Sequence, residues 1–213
     1  GGAQHFADAL NLRNEVGLRG DEVGLQRGTH HFNGGELLAQ AVVQVGADAA
    51  LLALAFLDEF AFELAAFLAR DDEGAFAFEG GEGAGKSTQI RRLAAFLEGQ
   101  DLQVCLTREP GGSHGAEQIR TLLVAGAVDR WDPLTETLLH MAARRTHLVR
   151  TIKPAMDSGA WVLCDRFADS TEAYQGYGQG VDLDFIRAMR RAVVGHQEPD
   201  LTIVLDIPVD IGL

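Results

Sequence analysis

Gly80-Gly81-Glu82-Gly83-Ala84-Gly85-Lys86-Ser87, with Thr88 next in line, satisfies the pattern G-x-x-x-x-G-K-[ST]. That spacing suits one kind of chemistry, the gripping of a nucleoside triphosphate by its phosphates. Glycines let the main chain approach an anion closely and adopt conformations closed to bulkier residues. Successive N–H groups then form a nest for phosphate oxygens. A helix opening at the lysine adds the positive end of its dipole. Lys86 is suited to bridge the β and γ phosphates, and Ser87 to offer its hydroxyl to the Mg²⁺ that accompanies ATP. The plainer reading is a glycine-rich turn between a strand and a helix. The motif's place, after an apolar run and before a helical one, argues for the phosphate loop.

Further candidates sit at the ends of other apolar runs. Arg108 follows LQVCLT, Asp165 ends AWVLCD, and Arg166 comes next. Phosphoryl transfer needs positioning and charge neutralisation more than a covalent participant, and arginines beside a phosphate loop supply both. Asp165 could hold Mg²⁺ directly or through water. Each has a plainer alternative: a salt-bridged surface arginine, an aspartate capping a turn. Tyr174 and Tyr177 read equally well as aromatics at the edge of a core. Trp131 and Trp161 read as packing.

These residues need a frame. Residues 74–80 form a short apolar run that predicts a buried strand, and KSTQIRRLAAFLEGQ after it has helical spacing ended by Gly99. Strands are expected over 102–107, 160–165 and 200–206. Helices are expected over 115–126, 182–195 and about 133–158, the last interrupted near Lys153-Pro154. Short, nearly all-apolar strands alternating with helices predict an α/β fold, a parallel sheet covered by helices on both faces. The carboxyl ends of such strands form the usual ligand crevice.

Residues 1–73 read differently from 74–213. They hold no Lys, Pro, Trp or Tyr. The stretch 51–70 predicts a helix apolar almost all round, with Phe56, Phe60 and Phe67 on one face, and such a helix needs burial on every side. The expectation is an N-terminal extension, poorly structured or partly helical, or else sequence that is not native coding sequence. The adjacent His30 and His31 lack the spaced partners of a metal site.

Composition narrows the function. A net charge of −13 argues against a general nucleic-acid binder. No uncharged apolar stretch approaches membrane-spanning length. Cys105 and Cys164 lack metal or disulfide spacing and read as buried, reduced thiols of a cytoplasmic protein.

Four segments taken together, FEGGEGAGKSTQ, LTREPGGSHGAEQIRTLLV (106–124), LLHMAARRTHLVRTIKPAM (138–156) and DRFADSTEAYQGYGQG (165–180), resemble bacterial thymidylate kinases of the P-loop nucleoside-monophosphate kinase group. The resemblance runs from about Ala75 to Leu213. It implies ATP-dependent phosphorylation of dTMP to dTDP with Mg²⁺, in a homodimer. It gives the loop 80–88 to the ATP phosphates, Lys86 and Ser87 among them, with Asp165 a second candidate for the metal. Glu82 matches an acid near the acceptor sugar, and Arg108 an arginine beside the transferring phosphates. Arg144 matches the arginine that contacts thymine, and Arg166 a ligand of the acceptor phosphate. Thr171 matches a position that reads the base edge, and Tyr174 a tyrosine packed on the deoxyribose. His140 departs from the family, which has a stacking phenylalanine there. Imidazole stacks with less area and titrates near neutrality, so acceptor binding is expected to be weaker, more so at acid pH. The family continues beyond the segment matched here with an arginine-bearing lid, an adenine-contacting segment and further elements. The loop Glu82-Gly83-Ala84 carries no basic residue, the type that goes with lid arginines. This chain, without such a lid, is therefore expected to bind nucleotide weakly and turn over poorly. The rival readings are a kinase for another nucleoside monophosphate, or a truncated, non-catalytic nucleotide-binding module.

Overall fold

A computed structural model describes the backbone of strands 23–31 and 37–45, and residues 74–127 and 129–206 in full. The predicted 51–70 helix and the His30 and His31 side chains lie outside that description. Among the described residues six strands form one sheet: β1 (Val23–His31), β2 (Leu37–Val45), β3 (Ala75–Gly80), β4 (Val104–Arg108), β5 (Trp161–Asp165) and β6 (Leu201–Asp206). Their order is β1-β2-β6-β3-β5-β4. The four strands from β3 onward pair in parallel. β2 adds to β6 in parallel, and β1 turns back on β2. No sequence pattern pointed to β1 or β2.

Alternation within β3 divides the core. In AFAFEG, Phe76 and Phe78 face one side, where they meet Leu163, Ile203 and α1 (Lys86–Glu98) through Ile90, Leu93 and Leu97. Ala75 and Ala77 face the other, among Val162, Leu148, Ile152 and Val194. Burial on both faces is why β3, β5 and β6 are near-continuous apolar runs. Trp161 packs edge-on against Phe76 at 5.2 Å, as a packing residue should. Trp131 is half-buried and belongs to neither core cluster; its Nε1 donates to the Leu122 carbonyl. β4 is the exposed edge, so Cys105 is only partly buried, unlike Cys164. Both thiols are free.

The helices start where chemistry favours them. Ser113 caps α2 (His114–Val124), and Asp132 followed by Pro133 opens α3 (Pro133–His147). The interruption expected near Pro154 is a π-type turn, Leu148–Ile152, leading into α4 (Lys153–Asp157). Pro154 lacks an N–H and crowds the preceding carbonyls, and the widened turn absorbs this. Past β5 come α5 (Ala168–Thr171) and a second π-type turn, Glu172–Gly178, neither expected from the sequence. Leu183 packs over Gly176 in that turn, so closely that a side chain there would collide with it. α6 (Leu183–Val193) follows, and its Arg190 binds Asp169 and both oxygens of Glu198. No helix among the described residues is long and apolar enough to cross a membrane.

Candidate active site

Sheet register brings three strand ends together. Phe78, Asp165 and Arg108 lie side by side on β3, β5 and β4. The chain leaves β3 through Gly80, whose φ of 137° is closed to most side chains. An added Cβ there would run into the Leu205 carbonyl of β6. Gly83 and Gly85 also take positive φ, 73° and 83°. The loop thus folds over the N-terminus of α1 and encloses a cleft of about 490 Å³, lined by residues 82–88 with Asp165 and Arg166. Lys86 is buried at its base, with Nζ donating to the carbonyls of Gly80 and Gly81. Burial, then the nearby Arg166, lowers its pKa. Ser87 Oγ donates to Asp165 Oδ2 at 3.0 Å.

A second cleft, of about 510 Å³, opens beside the first. Its walls come from α3, α5 and the π-type turn after α5, and from Glu109 and Pro110 past β4. Glu82 and Arg166 line both clefts and mark where they meet. On the wall, Arg144 is 2 % exposed, with Nε and Nη2 hydrogen-bonded. Its Nε donates to Glu109 Oε2 at 2.7 Å, and its Nη2 to the Phe167 carbonyl and to Thr171 Oγ1 at 3.0 Å. Glu109 Oε1 also lies 3.0 Å from His147 Nδ1, whose other nitrogen meets Thr107 Oγ1 at 2.6 Å. A buried charge held by this many partners keeps one orientation. Arg166 sits over the Tyr174 ring, 5.3 Å from its centre, and its Nη1 reaches Ser170 Oγ at 3.2 Å.

Most of the expected residues therefore converge. Residues 82–88, Asp165 and Arg166 surround one cleft; Glu82, His140, Arg144, Arg166, Thr171 and Tyr174 line the other. Gly80 and Gly81 are outside the lining and meet the site through their carbonyls, which accept from Lys86 Nζ. Arg108 departs further from expectation. Its guanidinium is exposed and pairs with Glu117 at 3.3 Å, and it lines neither cleft. His140 is held differently from expectation. Desolvation, then the Arg144 charge one turn on, lowers its pKa to about 4, below the near-neutral titration expected from the sequence. Glu79, Glu109, Glu136, His147 and Gln175 were missed. An acid inside the apolar run AFAFEG was a signal for Glu79. The partners of Glu109 and His147 come from distant elements, and no spacing announces them.

The chain is similar to known proteins. The thymidylate kinase family model matches residues 78–213. A thymidylate kinase of Caulobacter vibrioides is 59 % identical over 137 residues, covering 64 % of this chain and 66 % of that protein. One from Afipia carboxidovorans is 54 % identical over 146 residues, covering 68 % and 64 %. A crystal structure of thymidylate kinase from Ehrlichia chaffeensis superposes with a TM-score of 0.58 at 42 % identity, covering 63 % of this chain and 71 % of that one. The chain spans just under two thirds of the length of these two curated relatives. With the family model matching more than half of its length, the chain belongs to the thymidylate kinase family.

Proposed function

We propose that the protein transfers the γ-phosphoryl group of ATP to dTMP, giving dTDP. The observation that carries this reading is the meeting of two clefts at Glu82 and Arg166. One is a phosphate nest, the other a pocket of nucleotide size with a fixed arginine on its wall. Ligands seated in both would meet phosphate to phosphate, the arrangement that phosphoryl transfer requires.

Each side chain then has a part. Main-chain N–H groups of the loop hold the ATP phosphates, and Lys86 turns from the loop carbonyls to the β and γ oxygens. Arg166 takes the acceptor phosphate, with Glu82 beside the acceptor sugar. Arg144, held by Glu109, presents its edge with Thr171 to the thymine ring. His140 stacks on that ring, and Tyr174 packs on the deoxyribose, where a 2′-hydroxyl would be crowded. Arg108 swings from Glu117 to the transferring phosphates. Exposed ion pairs of this kind contribute only about 0–1 kcal/mol, so the swing costs little. Ser87 and Asp165 offer hard oxygen donors 3.0 Å apart in the phosphate cleft, which suits Mg²⁺. Bound there, the ion supplies charge neutralisation at the phosphates.

We assign a second copy of the chain to the side of α3 that carries Leu134 and Leu138 one turn apart; Leu122, Val124 and Val149 are further apolar residues exposed in the single chain. The two free thiols support a cytoplasmic setting.

Incubating the protein with Mg·ATP and a panel of dTMP, dUMP, AMP and CMP tests the acceptor. The account expects dTDP as the main product. A faster reaction with a ribonucleotide, or with a base lacking thymine's edge, would contradict it.

A further inference from the structure

Arg166 takes a backbone conformation that arginine seldom adopts. Its φ is 68°, in the left-handed region that favours glycine. Such a residue persists only when its surroundings fix it, and it is most often found at functional sites. The surroundings here are specific. Arg166 N donates to the Phe78 carbonyl at 2.9 Å, closing the turn from above β3. One residue on, Phe167 N donates to Glu79 Oε1 at 2.8 Å, and Ser170 N reaches the same oxygen at 3.2 Å. Glu79 has no exposed surface at all. An acid is thus set into a strand whose other side chains are apolar, and it faces the first turn of α5.

The second oxygen of Glu79 makes the connection to the cleft. Ser170 Oγ donates to Glu79 Oε2 at 2.6 Å, which leaves the hydroxyl's lone pairs free to accept. They accept from Arg166 Nη1 at 3.2 Å. The carboxylate therefore acts on both ends of Arg166: on its backbone through Phe167 N–H, and on its guanidinium through one hydroxyl.

We propose that Glu79 is a positioning residue for Arg166, clamping the left-handed turn after β5 and, through Ser170, aiming the guanidinium at the phosphate of the acceptor nucleotide. Glu79 touches no substrate and acts only through these contacts. The inference rests on the assignment of the acceptor phosphate to Arg166, made above.

Calorimetric titration at about pH 8 with two probes separates the possibilities: dTMP, and thymidine, which lacks the phosphate. The variants are Glu79→Gln, Ser170→Ala, Arg166→Ala and the double variant Glu79→Gln/Arg166→Ala, with ADP binding as the check on the phosphate loop. Glu79→Gln should weaken dTMP about tenfold, the size of one lost hydrogen bond to a charged group, and leave thymidine and ADP as they were. The double variant should bind dTMP no worse than Arg166→Ala alone, because the two residues act as one unit. Ser170→Ala removes only the hydroxyl link, so it reads the proposal even if Glu79→Gln does not fold; it should weaken dTMP selectively. Equal losses for dTMP and thymidine in either variant, or full additivity in the double variant, overturn the proposal. Unchanged dTMP binding by Arg166→Ala removes the premise instead, and the proposal with it.

Discussion

At His140 an imidazole meets the cleft with Glu136 one turn before it and Arg144 one turn after it. Desolvation and the Arg144 charge keep it neutral, with a pKa of about 4. It can stack on a base, with less area than phenylalanine offers. His140→Phe should therefore lower the KM for dTMP by about two- to tenfold, and by the same factor from about pH 5.5 to pH 8. A ratio that grows toward acid pH, measured in initial-rate assays of both proteins, would show that the ring titrates after all. Glu79 gives the opposite case. Burial first, then Asp169, raises its pKa from 4.5 to about 7, against the hydrogen bonds from Ser170 and Phe167 and the charge of Arg166. The folded state thus keeps a proton that the unfolded chain releases above pH 4.5. This contribution to stability is present below pH 4.5 and is lost as pH rises to about 7; it amounts to about 3 kcal/mol. Urea unfolding at about pH 5 and pH 8 should show that loss in the natural protein and a shallower pH dependence in Glu79→Gln. Parallel dependences would place the acid's pKa near its ordinary value.

Elements place these groups, and the turns between elements carry the strictest demands. Gly80 leaves β3 at a φ of 137° with the Leu205 carbonyl where a Cβ would stand. Gly80→Ala should separate β3 from β6 at the loop, cost about 1–3 kcal/mol in stability and abolish ADP binding. Thermal melts with and without ADP read both effects, and an alanine variant still stabilised by ADP would contradict the assignment. Much of this level was legible beforehand. The four parallel strands β3 to β6 fall within about two residues of their predicted places, because runs such as WVLCD and LTIVLD are mostly apolar up to a closing aspartate and long enough only for strands. The phosphate loop was legible because its chemistry is local, one turn of backbone and one lysine. The segment after β5 was not. Its helical turns hold glycines at 176 and 178, polar residues and no apolar period, and they are set by packing against α6 and by Glu79. For the same reason the engagement of Arg144 by Glu109 was invisible. Thirty-five residues separate the partners, and only the folded cleft brings them to 2.7 Å. The resemblance supplied roles for Arg144, Thr171 and Tyr174 that spacing alone left open.

For the whole molecule, one face of α3 carries exposed leucines at positions 134 and 138, one turn apart. If a second copy covers them, Leu134→Glu/Leu138→Glu should shift the sedimenting species from dimer to monomer while ADP binding is retained. A natural protein that is monomeric at every concentration would remove that assignment. The sheet orders the two clefts as well: they open at the same strand ends and share Arg166 and Glu82. The transfer of labelled phosphate from γ-labelled ATP to dTMP, followed in the natural protein and in Lys86→Ala, tests this arrangement most directly. The account predicts that label appears in dTDP, depends on added dTMP, and slows by about a hundred- to a thousandfold without the lysine. Label released only as inorganic phosphate, at a rate indifferent to dTMP, would contradict it.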